Sequence, residues 1–204
     1  MTRVTGPAPS AGQYVAETRA WVDRAVIGLN LCPFAKAVQI KRQIRYVVSD
    51  AVDASALLET LIDELRLLAA ANPQEIETTL LIHPRVLADF DDFNDFLGRA
   101  DAALASLRLA GVLQIASFHP QYRFAGTAAD DVTNATNRAP WPTLHLIREA
   151  SIDRAVQAFP EAESIYQVNI ATMQALGEPG WAELQRQCRA DADKAIGAAG
   201  TGDT

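Results

Sequence analysis

TTLLIHP, residues 78–84, is a short run of threonine, leucine and isoleucine closed by His83 and stopped by Pro84. A β-branched and apolar run of this length predicts a strand. Proline cannot continue a central strand's hydrogen bonding, so His83-Pro84 marks the exit from it. The same ending recurs in VLQIASFHP, residues 112–120, where His119 and Pro120 close another such run. Between the two, residues 89–109 display Phe93, Phe96, Leu97, Leu104 and Leu107 at helical spacing. Strand, helix and strand in that order make a crossover, which obliges both strands to run the same way.

Working outward, residues 44–49 (IRYVVS) predict a preceding strand, and Asp53 caps a helix reaching about Ala71. Leu57, Leu58, Leu61, Leu65 and Leu68 share one face of it. Further upstream, residues 13–29 predict a helix carrying Tyr14, Trp21, Val22, Ala25 and Leu29. A break at Asn30–Pro33 and a second short helix from Pro33 follow. Downstream, Thr143–Arg148 (TLHLIR) predicts a fourth strand. Helices over 151–159, 162–176 and 179–196 complete the chain, the last with Pro179 near its first turn. The pattern predicts a single α/β domain over residues 13–196 with a small, mostly parallel four-stranded sheet covered by helices. Three strands are expected parallel and the fourth antiparallel. Residues 1–12 and 197–204 are expected to be flexible ends.

Composition limits the function. Of 204 residues, 49% are hydrophobic and 21% charged, as in ordinary soluble domains. A formal net charge of −7 argues against a nucleic-acid partner, which needs a basic face. Lys36, Lys41, Arg42 and Arg45 form the one local basic cluster, and it reads as a solvated helix end and strand start. No apolar run approaches the ~20 residues that span a bilayer, so no membrane partner is expected. The N-terminal MTRVTGPAPSAGQ lacks the apolar core of a signal peptide, and the expectation is a cytoplasmic protein. Cys32 and Cys188 are too few for a disulfide framework and form no CxxC. P-loop, GxGxxG and GxSxG signatures are absent.

In open α/β sheets, ligands collect outside the C-terminal ends of the strands. His83 and His119 end strands there. His145, the third residue of strand four, starts from the same edge if that strand is antiparallel. The connection from His119 to Pro142 exceeds the ~12–15 residues usual for a structureless loop, which points to function. Tyr122, Phe124 and Trp141 can anchor it, Gly126 offers a tight turn, and Arg123, Asp130, Asn137 and Arg138 line it with polar groups. A pocket wall and a self-bonded surface loop are the two readings of that connection. Cys32, just before Pro33, sits at a possible helix N-cap, where a thiol becomes more nucleophilic; a buried packing residue is the alternative. Cys188 shares a helical face with Trp181 and Leu184 and reads as core.

Three stretches, VIGLNLCPFA (26–35), SFHPQYRFAG (117–126) and TNRAPWPTLHLIRE (136–149), together resemble an uncharacterised bacterial family, the domain-of-unknown-function family numbered fourteen-fifteen. The likeness runs from about residue 14 to residue 178. It implies that Cys32, His119, Tyr122, Phe124, Gly126, Asn137, Arg138, Pro140, His145 and Arg148 belong to one recognisable set of motifs. It implies no activity, substrate or cofactor.

Three functional readings follow. The first is an enzyme acting on a small anionic metabolite. Arg123, Arg138 and Arg148 would hold a carboxylate or phosphate, with Tyr122 and Asn137 beside them. His119 or His145 would be general acid or base, Cys32 the nucleophile, and Asp130 the group orienting a histidine. Strand alternation places His145 and Arg148 on opposite faces, so one of these two is expected to be structural. The second reading is a divalent metal such as zinc on His83, His119 and His145, although no HxH, HExxH or paired CxxC supports it. The third is a non-catalytic module that binds a metabolite or a protein. The terminal helices offer surface for a homodimer without requiring one.

Overall fold

A computed structural model describes residues 9–158 and 164–200. The first helix, α1 (Ala11–Trp21), runs into a π-helical turn at Val22–Ile27, and α2 (Ala35–Ile40) is short. Then come β1 (Ile44–Val48), α3 (Ala54–Ala70), β2 (Thr78–Ile82), α4 (Phe90–Ser106) and β3 (Leu113–Phe118). A 3-10 turn at Val132–Asn137 precedes β4 (Thr143–Arg148), α5 (Glu149–Ala158) and α6 (Ile165–Gly200). Asp53 and Asp89 cap α3 and α4 through side-chain acceptance of two amides each. The expected division of the last helix is present: Gly177 breaks α6 with φ 67 and ψ 172, and Pro179 follows. Residues 159–163, which the expected helices 151–159 and 162–176 enter, lie outside the described residues, as do 1–8 and 201–204 of the expected flexible ends. Within those ends, residues 11–12 and 197–200 are helical.

The α/β class holds, but the sheet is mixed rather than mostly parallel. Its order is β1-β2-β4-β3. β1 and β2 pair parallel, while β4 pairs antiparallel with β2 on one side and β3 on the other. β1, β2 and β3 therefore share a direction, as crossover helices require. The crossover fixes direction but not adjacency, and β4 occupies the place between β2 and β3.

Side chains alternate across this sheet and bury both faces. Leu81, Leu113, Leu144 and Leu146 pack against Leu57, Leu61, Leu65 and Leu68 of α3 and Phe93, Phe96 and Ala100 of α4. Leu80, Ile44, Tyr46 and Phe118 face the other way, towards Trp21, Val22 and Ala25 of the N-terminal helical segment and Met173 and Trp181 of α6. The result is three layers, helix on sheet on helix, with β2 buried along its whole length. No helix among the described residues is long and apolar enough to cross a membrane.

The C-terminal edge is tied to the returning chain. The His83 amide donates to the Pro142 carbonyl at 3.0 Å and the His119 amide to the Asn137 carbonyl at 3.2 Å. The connection after β3 thus leaves the sheet edge and comes back to the same edge.

Candidate functional site

That connection is ordered from within. Asp131 Oδ1 accepts from the amide and hydroxyl of Thr133, which starts the 3-10 turn. These two bonds, the hydroxyl first, hold the Asp131 carboxyl below its usual range, and the nearby Arg138 adds to the effect. Asn134 is fully buried, and its Oδ1 accepts from the Phe124 amide and the Thr127 hydroxyl. Its Nδ2 donates to the Ala128 carbonyl at 2.8 Å. Gly126 takes φ 83, the left-handed region that glycine enters without strain. Tyr122 meets Phe90 of α4 at 5.2 Å between ring centroids, and Phe124 meets Tyr166 of α6 at 6.3 Å. Trp141 meets Tyr14 at 4.7 Å and donates its indole N–H to Glu17. All three expected aromatic anchors make contacts with the helices, and the segment contains a 3-10 turn that its polar sequence did not announce.

Between this connection and the start of α4 lies a cleft of about 440 Å³. Asp89 and Asp91 contribute from the α4 side, Gln121 and Arg123 from the loop leaving β3, and Ala129 and Arg138 from the far wall. Arg123 pairs with Asp91 at 3.1 Å, a mostly exposed contact. Arg138 is held differently. Its Nε donates to the Tyr122 carbonyl at 3.2 Å and an Nη to the Ala129 carbonyl at 2.6 Å. Two of the five N–H donors of a guanidinium are used in this way, and the group is fixed across the loop.

The histidines do not converge. His145 pairs in register with Leu80 and Ala116, so it faces the α1/α6 layer, where its ring lies 6.1 Å from Phe118. His83 and His119 emerge on the α4 side, and both stack on Phe93, at 5.6 and 5.1 Å. His119 is fully buried with both nitrogens engaged: Nδ1 accepts from the Gln121 amide at 3.0 Å, so Nε2 carries the proton and donates to the Leu87 carbonyl at 3.2 Å. Burial lowers its pKa. His83 is also fully buried, its Nδ1–H bonded to the Val86 carbonyl and its Nε2 without a partner among the described residues. Burial pushes His83 down to about 4. In His145, Nε2–H donates to the Thr78 hydroxyl at 2.7 Å, since that hydroxyl gives its own proton to the Leu146 carbonyl. Desolvation pushes His145 down to about 4 as well. The His83, His119 and His145 set is thus split across the sheet. Among the described residues no group of three or more His, Cys, Asp or Glu side chains is placed to hold a metal ion.

The other expected site residues are distributed as follows. Arg148 is buried on the face opposite His145, as alternation requires, and its Nη2 donates to the carbonyls of Leu68, Ala71 and Ile76. It closes the C-terminal end of α3. Cys32 is not a helix cap: α2 begins at Ala35 with Phe34 at the cap position, and the Cys32 carbonyl accepts the Ala35 amide in the turn before it. Pro33 has the right φ for a first helical residue, but Asn30 at φ 56 redirects the chain upstream of it. Asp130 is exposed, with no hydrogen bond or ion pair among the described residues. Asn137 donates to the Ser117 carbonyl and faces a separate small cavity beside α6. Cys188 is buried as expected, which pushes its thiol up to about 11.

The three quoted motifs adjoin in space. Val26 and Leu31 of the first share a hydrophobic cluster with Phe118 of the second and Ala139 of the third, and the returning segment closes on β3 through Asn137. A family model described as a protein of unknown function, DUF1415, matches residues 13–183. The chain belongs to the DUF1415 family. No curated protein and no solved structure matches it. The family span in this DUF1415 protein takes in all four strands, the connection and the cleft, and extends into α6 beyond its break at Gly177.

Sequence reasoning missed two parts of this candidate site. Asn134 organises the loop, yet in sequence it is one of several polar residues between Asp130 and Arg138. Asp89 and Asp91 form a wall of the cleft, yet acidic residues at a helix start read simply as caps. The available signal was Asp89 itself, placed six residues after the strand-ending His83 and therefore close to the same edge.

Proposed function

We propose that this protein binds a small carboxylate-bearing metabolite in the 440 Å³ cleft, as a receptor rather than as a catalyst. One observation carries the reading. Arg138 lines the cleft with its guanidinium fixed by two main-chain carbonyls, and no carboxylate lies within ion-pair distance of it among the described residues. A rigid guanidinium with three N–H donors left over is prepared for bidentate capture of an anion. Ordering such a side chain usually opposes binding; here the loop has already ordered it. The cleft falls within the ~300–1,000 Å³ typical of metabolite sites and lies at the sheet edge where α/β proteins collect ligands.

Asp89 and Asp91 narrow the ligand class. A doubly charged phosphate at Arg138 would face both carboxylates across the cleft, whereas a single carboxylate meets less repulsion. Gln121 adds a neutral hydrogen-bonding group. The binding reading is preferred to catalysis because His119, the candidate acid or base nearest the cleft, uses both nitrogens internally, and Cys32 and His145 belong to other parts of the fold.

A thermal-shift screen of small carboxylates, their amides and inorganic phosphate tests the proposal. At a hundredfold excess over Kd, a carboxylate should raise Tm by about 5–10 °C. The rise should vanish in Arg138→Ala and shrink in Arg123→Ala. Stabilisation by no member of the panel, or equal stabilisation of wild type and Arg138→Ala, would overturn it.

A further inference from the structure

The cleft that holds Arg138 is divided in charge. Asp89 and Asp91 line it from the α4 side, and Arg123 and Arg138 from the connection after β3. Two carboxylates and two guanidiniums sum to zero among its described lining residues. A plain carboxylate bound at Arg138 leaves that sum negative, and both aspartates repel it. A ligand that brings its own cation leaves the sum at zero. The aspartates also have acceptor capacity to spare. Asp89 Oδ1 caps α4 by taking the amides of Asp91 and Asp92 at 2.9 and 3.2 Å, and its Oδ2 accepts no hydrogen bond among the described residues. Asp91 Oδ1 takes the Arg123 guanidinium at 3.1 Å, and its Oδ2 is likewise without a donor among the described residues.

An ionised carboxylate accepts at about four lone-pair positions, so each aspartate can take a further donor. The Arg123–Asp91 pair does not stand in the way. Its side chains are 45% and 79% exposed, and a pair so solvated contributes little. Across from them, Arg138 keeps guanidinium donors for an anion. The remaining walls, Phe90, Pro120, Gln121 and Ala129, are uncharged and suit a neutral spacer. We infer that the ligand is a zwitterion, a small amino acid whose carboxylate meets Arg138 and whose ammonium meets Asp89 and Asp91, an assignment that rests on the carboxylate reading of the same cleft. A primary ammonium brings three donors and no acceptor, which matches the unused carboxylate oxygens.

Two series of matched chain length test this: glycine, β-alanine, γ-aminobutyrate and δ-aminovalerate against acetate, propionate, butyrate and valerate. Each is titrated at neutral pH and constant ionic strength while the Arg138 Nε–Hε resonance is followed by NMR. At least one amino acid should bind about tenfold more tightly than the carboxylate of its own length, the factor expected of a hydrogen bond between charged groups. Asp89→Asn keeps the helix cap, since asparagine caps as well as aspartate. Combined with Asp91→Asn, it should weaken that amino acid by about tenfold and tighten the plain carboxylate by about twofold. Opposite signs of this kind do not come from loss of structure. If the double variant does not fold, Asp91→Asn alone, at an exposed position, should cut the preference by about threefold. No amino acid binding more tightly than its plain counterpart, or a preference that survives these substitutions, would rule out the zwitterion and leave the carboxylate reading standing. Absence of binding in both series would rule out both.

Discussion

His83 shows how one residue can be well placed in the fold and unavailable for chemistry. Its ring is fully buried against Phe93, Nδ1–H is bonded to Val86, and burial pushes it down to about 4 from 6.5. An unfolded chain binds a proton on this ring below about 6.5, whereas the folded chain resists until about 4. Between those values the unfolded state holds more protons, so stability is fully present above the upper one and declines as pH falls through the window. His145 acts in the same direction. In His83→Phe, which keeps the stacking and removes the unpartnered Nε2, the decline over this window should become shallower by close to one proton. Urea midpoints measured from pH 7 to pH 4 check this; an unchanged slope would mean that His83 does not titrate on unfolding. The sequence made His83 visible through its place before Pro84. It could not show which way the ring turns, because that depends on α4 packing over the strand end.

At the scale of elements, the strands were legible because β-branched runs ending in His-Pro or starting after Pro142 leave little choice of boundary. The break in the last helix was legible too, through Gly177 and Pro179. The Cys32 cap was not, since Pro33 suits a first helical position whether or not the helix starts there. Gly177 makes a direct test of an element boundary. Its φ of 67 with ψ 172 is a conformation open essentially to glycine alone. A Cβ built there meets Pro179 Cδ at an ordinary 3.6 Å, so the cost of Gly177→Ala is backbone strain rather than a clash. The substitution should lower stability by about 1–3 kcal/mol, read from chemical denaturation. A change near zero would show that the two helical segments join without that turn.

At the scale of the whole molecule, the site depends on how the layers are joined. The connection after β3 is anchored to α4 through Tyr122 and Phe90, and to the opposite layer through Phe124 with Tyr166 and Trp141 with Tyr14. Such an arrangement keeps the cleft formed without a ligand. That an edge of the sheet carries the cleft followed from the crossover helices. The insertion of β4 between β2 and β3 did not, because the periodicity of TLHLIR specifies two faces and no neighbours. The separation of His145 from His119 is a consequence of face, and hence of register. The central claim concerns Arg138, and arginine side-chain NMR addresses it most directly. Titrating the wild-type protein with the small carboxylates should move the Arg138 Nε–Hε resonance along a saturating curve. The Arg45 resonance, held by two hydrogen bonds to Glu64, should stay fixed. An Arg138 resonance that does not move with any carboxylate, or that moves only in step with Arg45, would contradict the account.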